Sequence, residues 1–277
     1  MLARGRRAPI IEGMKIAVIQ FRPEFGRPEE NLEAIFRLAG ERRADLLVLP
    51  ELCTTGYQFT GRAEARRLAE DLDGPSLRRL AGLAGGCGGV VVAGFAERQG
   101  EDLFNSAAVV GADGVLGVYR KTHLFYREKE FFRPGDSGFS VFDIGGVKLG
   151  VMICFDWFFP EAARSLALAG AQVIAHPANL VLPWCQRAMP IRALENRVFT
   201  VTANRVGSEQ RWPGEPLLFT GASLVAAPDG RVLAQGPEEG EVVLEAEIDP
   251  GQARDKRVTR LNDVLADRRP ELYFLGG

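Results

Sequence analysis

The most informative segment of this 277-residue chain reads VKLGVMI at 147–153, then Cys154, then FDWFFPE at 155–161. The apolar run has the length of a buried strand, and Pro160 is typical of the first turn of a helix. A cysteine between a strand and a helix lies where the free N–H groups of the helix start point toward the sulfur. Such groups lower a thiol pKa and bind an oxyanion, so we predict that Cys154 is a nucleophile with a lowered pKa.

Two further apolar runs end in charged residues. DLLVLPE at 45–51 ends at Glu51, and VYRKTHLF at 118–125 contains Lys121. Strand ends meet at one rim of an α/β core, so Glu51 and Lys121 are expected beside Cys154. There the carboxylate could accept the thiol proton and the ammonium could stabilise an oxyanion. Without such a site, the two charges would be a salt-bridge residue at the rim and a solvent-facing lysine.

A cysteine at a strand end can also be a small buried apolar side chain without any chemical role. Cys53, Cys87 and Cys185 have no setting like that of Cys154 and are expected to be structural. They form no CxxC pair, and with two histidines in the chain no metal-ligand spacing occurs, so neither a disulfide framework nor a metal site is expected.

Strand and helix patterns alternate along the chain, which predicts an α/β fold with mixed sheets. A hairpin is expected around the GADG at 111–114 and another around the PDG at 228–230. The predicted strands are 15–21, 45–49, 90–95, 104–110, 115–120, 147–153, 171–175, 198–203, 222–226, 231–234 and 242–248, and the predicted helices are 31–39, 75–84, 160–168 and 184–196.

The composition is that of an ordinary globular protein, with 46% hydrophobic and 25% charged residues. The net charge is −2 with both signs interleaved, which argues against nucleic acid or an anionic membrane as a partner. The apolar runs are too short to span a membrane, and we expect a cytoplasmic protein whose reducing surroundings preserve a thiol.

Both ends of the chain differ from the rest. Residues 1–13 carry three arginines without a secretory signal pattern, so we expect an extension outside the fold or an alternative start at Met14. A single domain is expected over 14–277. From about residue 253 the sequence is highly charged with spaced apolar residues, which suggests a surface arm that docks on a second subunit.

Three short motifs resemble the signature motifs of the nitrilase superfamily of carbon-nitrogen hydrolases, in the order in which the family has them. They are LPE at 49–51, YRKTHL at 119–124 and CFD at 154–156. The resemblance extends from about Met14 to the C-terminus and is strongest to archaeal members described as amidases or nitrilases. It implies a four-layer α-β-β-α sandwich of two mixed sheets, no cofactor, and a homodimer or an assembly of dimers.

The resemblance also implies roles for single residues. Glu51 matches the general base, Cys154 the nucleophile, and Lys121 the cation that stabilises the oxyanion together with the backbone N–H of Phe155. Glu128 matches the second glutamate of the family, thought to orient the substrate or assist the base. Glu130 is its competitor in the sequence YREKEFF at 126–132.

Residues next to the motifs are candidates for substrate binding: Tyr57, Trp157, Phe158 and Asn179. The aromatic ones could equally belong to the core. Asn179 follows a strand end and could hydrogen-bond the far end of a substrate. His123 and His176 are expected to be structural hydrogen-bonding residues, because a glutamate already serves as the base.

The expected function is an amidase that converts small aliphatic primary amides to carboxylic acid and ammonia through a thioester. The same thiolate could attack small aliphatic nitriles or dinitriles, or an N-carbamoyl amine, and in an acyltransferase an amine or alcohol would replace water. A non-catalytic relative would have lost motif residues that are all present here.

Overall fold

The computed structural model describes residues 13–273, so the extension or alternative start predicted for 1–13 lies outside the described residues except at Gly13. The strands are β1 (Met14–Gln20), β2 (Leu46–Val48), β3 (Val90–Gln99), β4 (Asp102–Gly111), β5 (Gly114–Arg120), β6 (Val141–Ile144), β7 (Val147–Val151), β8 (Val173–Ala178), β9 (Phe199–Asn204), β10 (Ser208–Glu209), β11 (Leu217–Leu218), β12 (Leu224–Ala226), β13 (Val232–Gln235) and β14 (Val242–Ile248). The α-helices are α1 (Pro28–Ala39), α2 (Arg62–Leu68), α3 (Pro75–Cys87), α4 (Glu128–Phe131), α5 (Pro160–Leu168) and α6 (Cys185–Asn196). Short 3-10 turns occur at Cys154–Phe158, Pro250–Ala253 and Pro270–Leu272.

Two mixed six-stranded sheets form the centre of the part that the structure describes. The first has the order β14-β1-β2-β3-β4-β5 and the second β13-β12-β9-β8-β7-β6. In the first sheet β1, β2 and β3 run parallel, and in the second β7, β8 and β9 do, while the strands outside each parallel trio pair antiparallel. The predicted mixed sheets are thus confirmed.

The sheets pack face to face, because strands of both contribute to one core. Val18 and Val48 of the first sheet share it with Val151 and Val201 of the second. The helices α1 and α3 cover the outer face of the first sheet, while α5 and α6 pack on the second. These layers confirm the expected α-β-β-α sandwich.

Each predicted element is present; α5 and β14 have the predicted ends, and the other elements have shifted ends. The strand expected at 171–175 is β8, and the helix expected at 31–39 starts earlier because Pro28 occupies its first turn. The elements without a prediction are short: α2, α4, β6, β10 and β11. A few residues carry too little periodicity to be recognised from sequence.

The segment predicted as a surface arm lies partly against its own chain. Lys256 Nζ donates to the backbone oxygens of Asn196 (3.2 Å) and Arg197 (2.9 Å) at the end of α6. Burial lowers the pKa of Lys256 to about 8. Docking of this segment on a second subunit stays a prediction.

Within residues 13–273, no helix has the length and apolarity that a membrane crossing requires.

Candidate active site

Lys121 lies at the centre of the site, buried between two carboxylates. Its Nζ is 2.6 Å from Glu51 Oε1 and 2.7 Å from Glu128 Oε1, and neither Lys121 nor Glu51 is exposed to solvent. Burial alone would lower the pKa of Lys121, but the charges of Glu128 and Glu51 outweigh it and raise that pKa. The ammonium is therefore a fixed positive charge.

Glu51 sits in a tight turn directly after β2. The turn packs against β3 so closely that a Cβ at Gly94 would lie 2.4 Å from the Glu51 Cα, so only glycine fits there. Glu51 Oε1 accepts from Lys121 and from Asn105 Nδ2 (2.7 Å). Glu51 Oε2 is buried and has no hydrogen-bond partner among the described residues. One oxygen is thus held in place, and the other is free to accept a proton.

Glu128 opens α4 and is held from several sides. Its Oε1 accepts from the hydroxyl of Tyr57 (2.7 Å) as well as from Lys121, and its Oε2 accepts from the backbone N–H of Phe125 (3.3 Å). Burial raises the pKa of Glu128, opposed by Lys121. The competitor Glu130 is exposed and pairs with Arg127, so the structure brings Glu128 to the site and leaves Glu130 outside it.

Cys154 follows β7 and opens the 3-10 turn Cys154–Phe158 with a φ of 40°, which is unusual for a residue with a side chain. Its carbonyl oxygen lies 2.9 Å from His176 Nε2, and His176 Nδ1 lies 3.1 Å from Thr202 Oγ1. Because burial lowers the pKa of His176 to about 4, the ring is neutral and donates from Nε2 to the carbonyl. His176 thereby holds the strained turn. The N–H of Phe155 is at the start of the turn, where no intrahelical acceptor exists.

The predicted low pKa of the Cys154 thiol is wrong. Burial raises it well above its usual value, the nearby charge of Glu51 raises it further, and Lys121 offsets only part of this. The lowering of the thiol pKa by N–H groups at the helix start is outweighed by desolvation and by the charge of the nearby carboxylate, which both raise it. The thiol is therefore protonated at neutral pH, and a base has to remove its proton when it reacts.

Sequence reasoning missed two polar residues of the site. Asn105 on β4 donates to Glu51 Oε1 and, more weakly, to Glu128 Oε2 (3.4 Å). Asp156 accepts from the backbone N–H of Ile153 (2.9 Å) and from that of His123 (3.1 Å), which joins the Cys154 turn to the segment after Lys121. The signal for Asn105 was an amide inside the apolar run LFNSAAVV at 103–110, and Asp156 lies within a recognised motif.

A small pocket opens beside the thiol, lined by Cys154, Phe155, Trp157 and Asn179 among others. The side-chain amide of Asn179 is buried, and neither its oxygen nor its nitrogen has a partner among the described residues. A buried amide without partners is costly, so it is poised to bond a ligand. Asn179 is therefore the polar group of this pocket.

The four candidate substrate contacts have different settings. Trp157 is buried in the pocket wall, whereas Phe158 is 48% exposed and does not line the pocket. The Phe158 ring packs against Trp157 and Phe155 from outside. Tyr57 uses its hydroxyl to bond Glu128.

Over residues 13–273, no group of three or more His, Cys, Asp or Glu side chains could hold a metal ion.

Comparison with known proteins agrees with this geometry. A family model described as carbon-nitrogen hydrolase matches residues 15–258. A protein named nitrilase from Pyrococcus abyssi is 52% identical, over 94% of this chain and 99% of its own length. An N-carbamoylputrescine amidase from Arabidopsis thaliana is 34% identical, over 99% of this chain and 97% of its own length.

A solved structure shows the same fold with a ligand. A mutant of the amidase from Nesterenkonia sp. AN1 superposes with a TM-score of 0.77 at 27% identity, covering 96% of this chain and 97% of that one. That structure shows covalent addition of the acetamide moiety of fluoroacetamide at its active-site cysteine. The chain described here belongs to the carbon-nitrogen hydrolase family of the nitrilase superfamily and is an enzyme of that class.

Proposed function

We propose that this enzyme is an amidase that hydrolyses small aliphatic primary amides to carboxylic acid and ammonia through a thioester on Cys154. The observation that carries the proposal is the Oε2 of Glu51, which is buried without a partner among the described residues while Lys121 and Asn105 hold the other oxygen, in a carboxylate close enough for its charge to raise the pKa of the Cys154 thiol. An acceptor oriented in this way suits a general base.

In the first half of the reaction, Glu51 takes the proton of Cys154 and the sulfur attacks the amide carbon. The carbonyl oxygen becomes an oxyanion. An ammonium has three N–H donors, and two of those of Lys121 go to Glu51 and Glu128, so the third remains for the oxyanion together with the N–H of Phe155. The C–N bond then breaks, Glu51 returns the proton to the leaving nitrogen, and ammonia departs from the thioester.

In the second half, Glu51 takes a proton from water and the hydroxide attacks the thioester carbon. The same donors hold the second oxyanion, the C–S bond breaks, and the proton on Glu51 returns to the sulfur as the acid leaves. One water is consumed for each amide. Glu128 keeps the ammonium centred between the two carboxylates by its bonds to Lys121 and Tyr57.

Two other substrate classes fit the same residues. A nitrile attacked by the Cys154 thiolate gives a thioimidate, which two waters convert to acid and ammonia, and the resemblance to the nitrilase of Pyrococcus abyssi supports this alternative. Besides the nitrogen that leaves, an N-carbamoyl amine carries a second N–H on the other side of the reacting carbon, which a primary amide lacks. The unpartnered amide of Asn179 supports that alternative, as does the N-carbamoylputrescine amidase relative.

The test is ammonia release from primary amides, nitriles and N-carbamoyl amines of matched short chains, measured with the wild type, Cys154→Ala and the control Cys87→Ala. Cys87 is buried in α3, away from the site. We expect release from amides that falls by about 10⁴-fold or more in Cys154→Ala and stays unchanged in Cys87→Ala. Release mainly from nitriles or carbamoyl amines would replace the substrate assignment, and activity that survives in Cys154→Ala would refute the mechanism.

Asn179→Leu separates primary amides from N-carbamoyl amines. We expect kcat/KM to fall by about 10- to 100-fold more for an N-carbamoyl amine than for the matched amide, because only the former has a second N–H, on the side of the reacting carbon opposite the leaving nitrogen, for the Asn179 oxygen. An equal loss for both substrates would remove the support that Asn179 lends to the carbamoyl alternative.

A further inference from the structure

A buried ion pair between Arg205 and Glu209 lies outside the set of residues that the reaction uses. Arg205 follows β9 and is fully buried, and Glu209 in β10 is 7% exposed. The guanidinium donates to Glu209 Oε1 through Nη1 and to the carbonyl of Pro23 through Nη2 (3.0 Å). Burying two charges is costly unless they are well bonded, and such a pair adds little stability over apolar residues. The pair therefore suits a role other than stability.

The carboxylate of Glu209 holds the segment that carries Tyr57. It accepts from the backbone N–H of Tyr57 (3.1 and 3.2 Å to its two oxygens) and from that of Gln58 (2.6 Å). The preceding Gly56 has a φ of 80°, and a Cβ there would lie 2.8 Å from the Phe25 Cα and 3.0 Å from Glu209 Oε1. The Tyr57 backbone is thus fixed directly against the ion pair.

Arg205 also supports the ring of the same tyrosine. Its guanidinium lies over the ring of Phe219, 4.0 Å from the centroid, and Phe219 meets the Tyr57 ring edge-on at 6.1 Å. The pair therefore constrains Tyr57 at its backbone through Glu209 and at its ring through Arg205 and Phe219. The other end of Tyr57 is the hydroxyl that bonds Glu128 Oε1 at 2.7 Å.

We propose that Arg205 and Glu209 are positioning residues that fix Tyr57 and, through its hydroxyl, the carboxylate of Glu128 beside Lys121. The inference rests on the proposed role of Glu128 in the amide reaction. Misplacement of a group by about 1 Å can cost 10²-fold in rate, so a pair that contacts neither substrate nor nucleophile can still set kcat.

The experiment is a double-mutant cycle between Glu209→Gln and Tyr57→Phe, with kcat and KM measured on whichever substrate the wild type turns over. Glu209→Gln keeps the shape of the side chain and removes its charge. We expect kcat to fall by about 10- to 100-fold in either single variant, with KM within about threefold. In the double variant, kcat should be less than about threefold lower than in Tyr57→Phe alone. The reason is that Glu209 acts on Glu128 through the Tyr57 hydroxyl, which Tyr57→Phe has already removed.

Melting curves and a control separate positioning from stability. Glu64→Gln, which removes a carboxylate paired with Arg211 and bonded to Thr60, should leave kcat within about twofold. The proposal is overturned if Glu209→Gln lowers the melting temperature but leaves kcat unchanged. It is also overturned if the loss of kcat in the double variant equals the product of the losses in the two single variants. Should Glu209→Gln fail to fold, the double variant Arg205→Met/Glu209→Leu leaves neither charge alone and should show the same loss of kcat.

The two proposals can fail separately. Activity that survives in Cys154→Ala would overturn the proposed reaction, whatever the cycle shows. Activity that is lost in Cys154→Ala but unchanged in folded Glu209→Gln would leave the reaction standing and refute only the positioning role.

Discussion

Lys121 Nζ lies 2.6 Å from Glu51 Oε1, and both side chains are shielded completely from solvent. This contact orients the carboxylate so that Oε2 is the oxygen left without a partner among the described residues. It also keeps a positive charge where an oxyanion would form. The same pair therefore links the proposed base to the proposed electrostatic stabilisation.

Glu51→Gln should lower kcat by about 10³-fold or more, because an amide cannot take the proton of the Cys154 thiol. Folding should be kept, since the glutamine oxygen can still accept from Lys121 and Asn105. Steady-state kinetics with a melting curve check this. Glu130→Gln is the matched control, since Glu130 is exposed and outside the site, and its activity should equal that of the wild type. A Glu51→Gln enzyme with a tenth of wild-type activity would refute the base assignment.

Lys121→Met should destabilise the protein by about 3–5 kcal/mol at neutral pH, because two buried carboxylates would face each other without a cation. This loss of stability relative to the wild type should become smaller as the pH falls, because protonation of one carboxylate relieves the repulsion. The folded variant then binds more protons than the unfolded chain, so a lower pH favours the folded state. Urea denaturation at several pH values measures it. Lys148→Met, which removes a half-exposed pair with Asp143, should change stability by less than about 1 kcal/mol. A deficit that does not change with pH would contradict this account.

Asn105→Ala should cost about 1–3 kcal/mol and lower kcat about tenfold, because Glu51 Oε1 and Glu128 Oε2 lose a shared donor. Asn105→Asp should lower kcat further, since it places a third carboxylate against the first two. Denaturant unfolding and kcat of both variants test the idea. Equal kcat in the two variants would show that the contact does not orient the carboxylates.

His176 should make stability depend on pH in mildly acidic solution. Its pKa is lowered from 6.5 to about 4 by burial, so between these values the unfolded chain binds a proton that the folded protein does not. The contribution of His176 to the free energy of unfolding is therefore fully present above pH 6.5 and is lost as the pH falls toward 4. The total loss amounts to about 3 kcal/mol. Unfolding of wild type and His176→Asn at pH 7 and pH 4.5 checks this.

The variant His176→Asn removes the group that titrates, so its stability should fall less than that of the wild type over this range. At neutral pH it should also lose activity, because the Cys154 carbonyl loses its donor. A pH dependence identical to that of the wild type would assign the acid sensitivity to other groups.

Local patterns were enough to predict the α/β architecture and the meeting of Glu51 and Lys121. Continuous apolar runs predict strands such as β7 and β2, and Cys154 and Glu51 directly follow such runs. Because strand ends gather at one rim of a sandwich, their position in the sequence already predicts that they meet. The family and the four-layer fold, predicted from the resemblance of three motifs, are confirmed as well.

What could not be read from the chain depends on contacts between residues far apart in it. The thiol pKa of Cys154 is set by burial and by Glu51, more than a hundred positions away, and local helix-start N–H groups suggested the opposite direction. The hydroxyl of Tyr57 turned out to bond Glu128. Desolvation, charge neighbours and the choice of hydrogen-bond partner are properties of the packed core, so they exist only once the two sheets have come together.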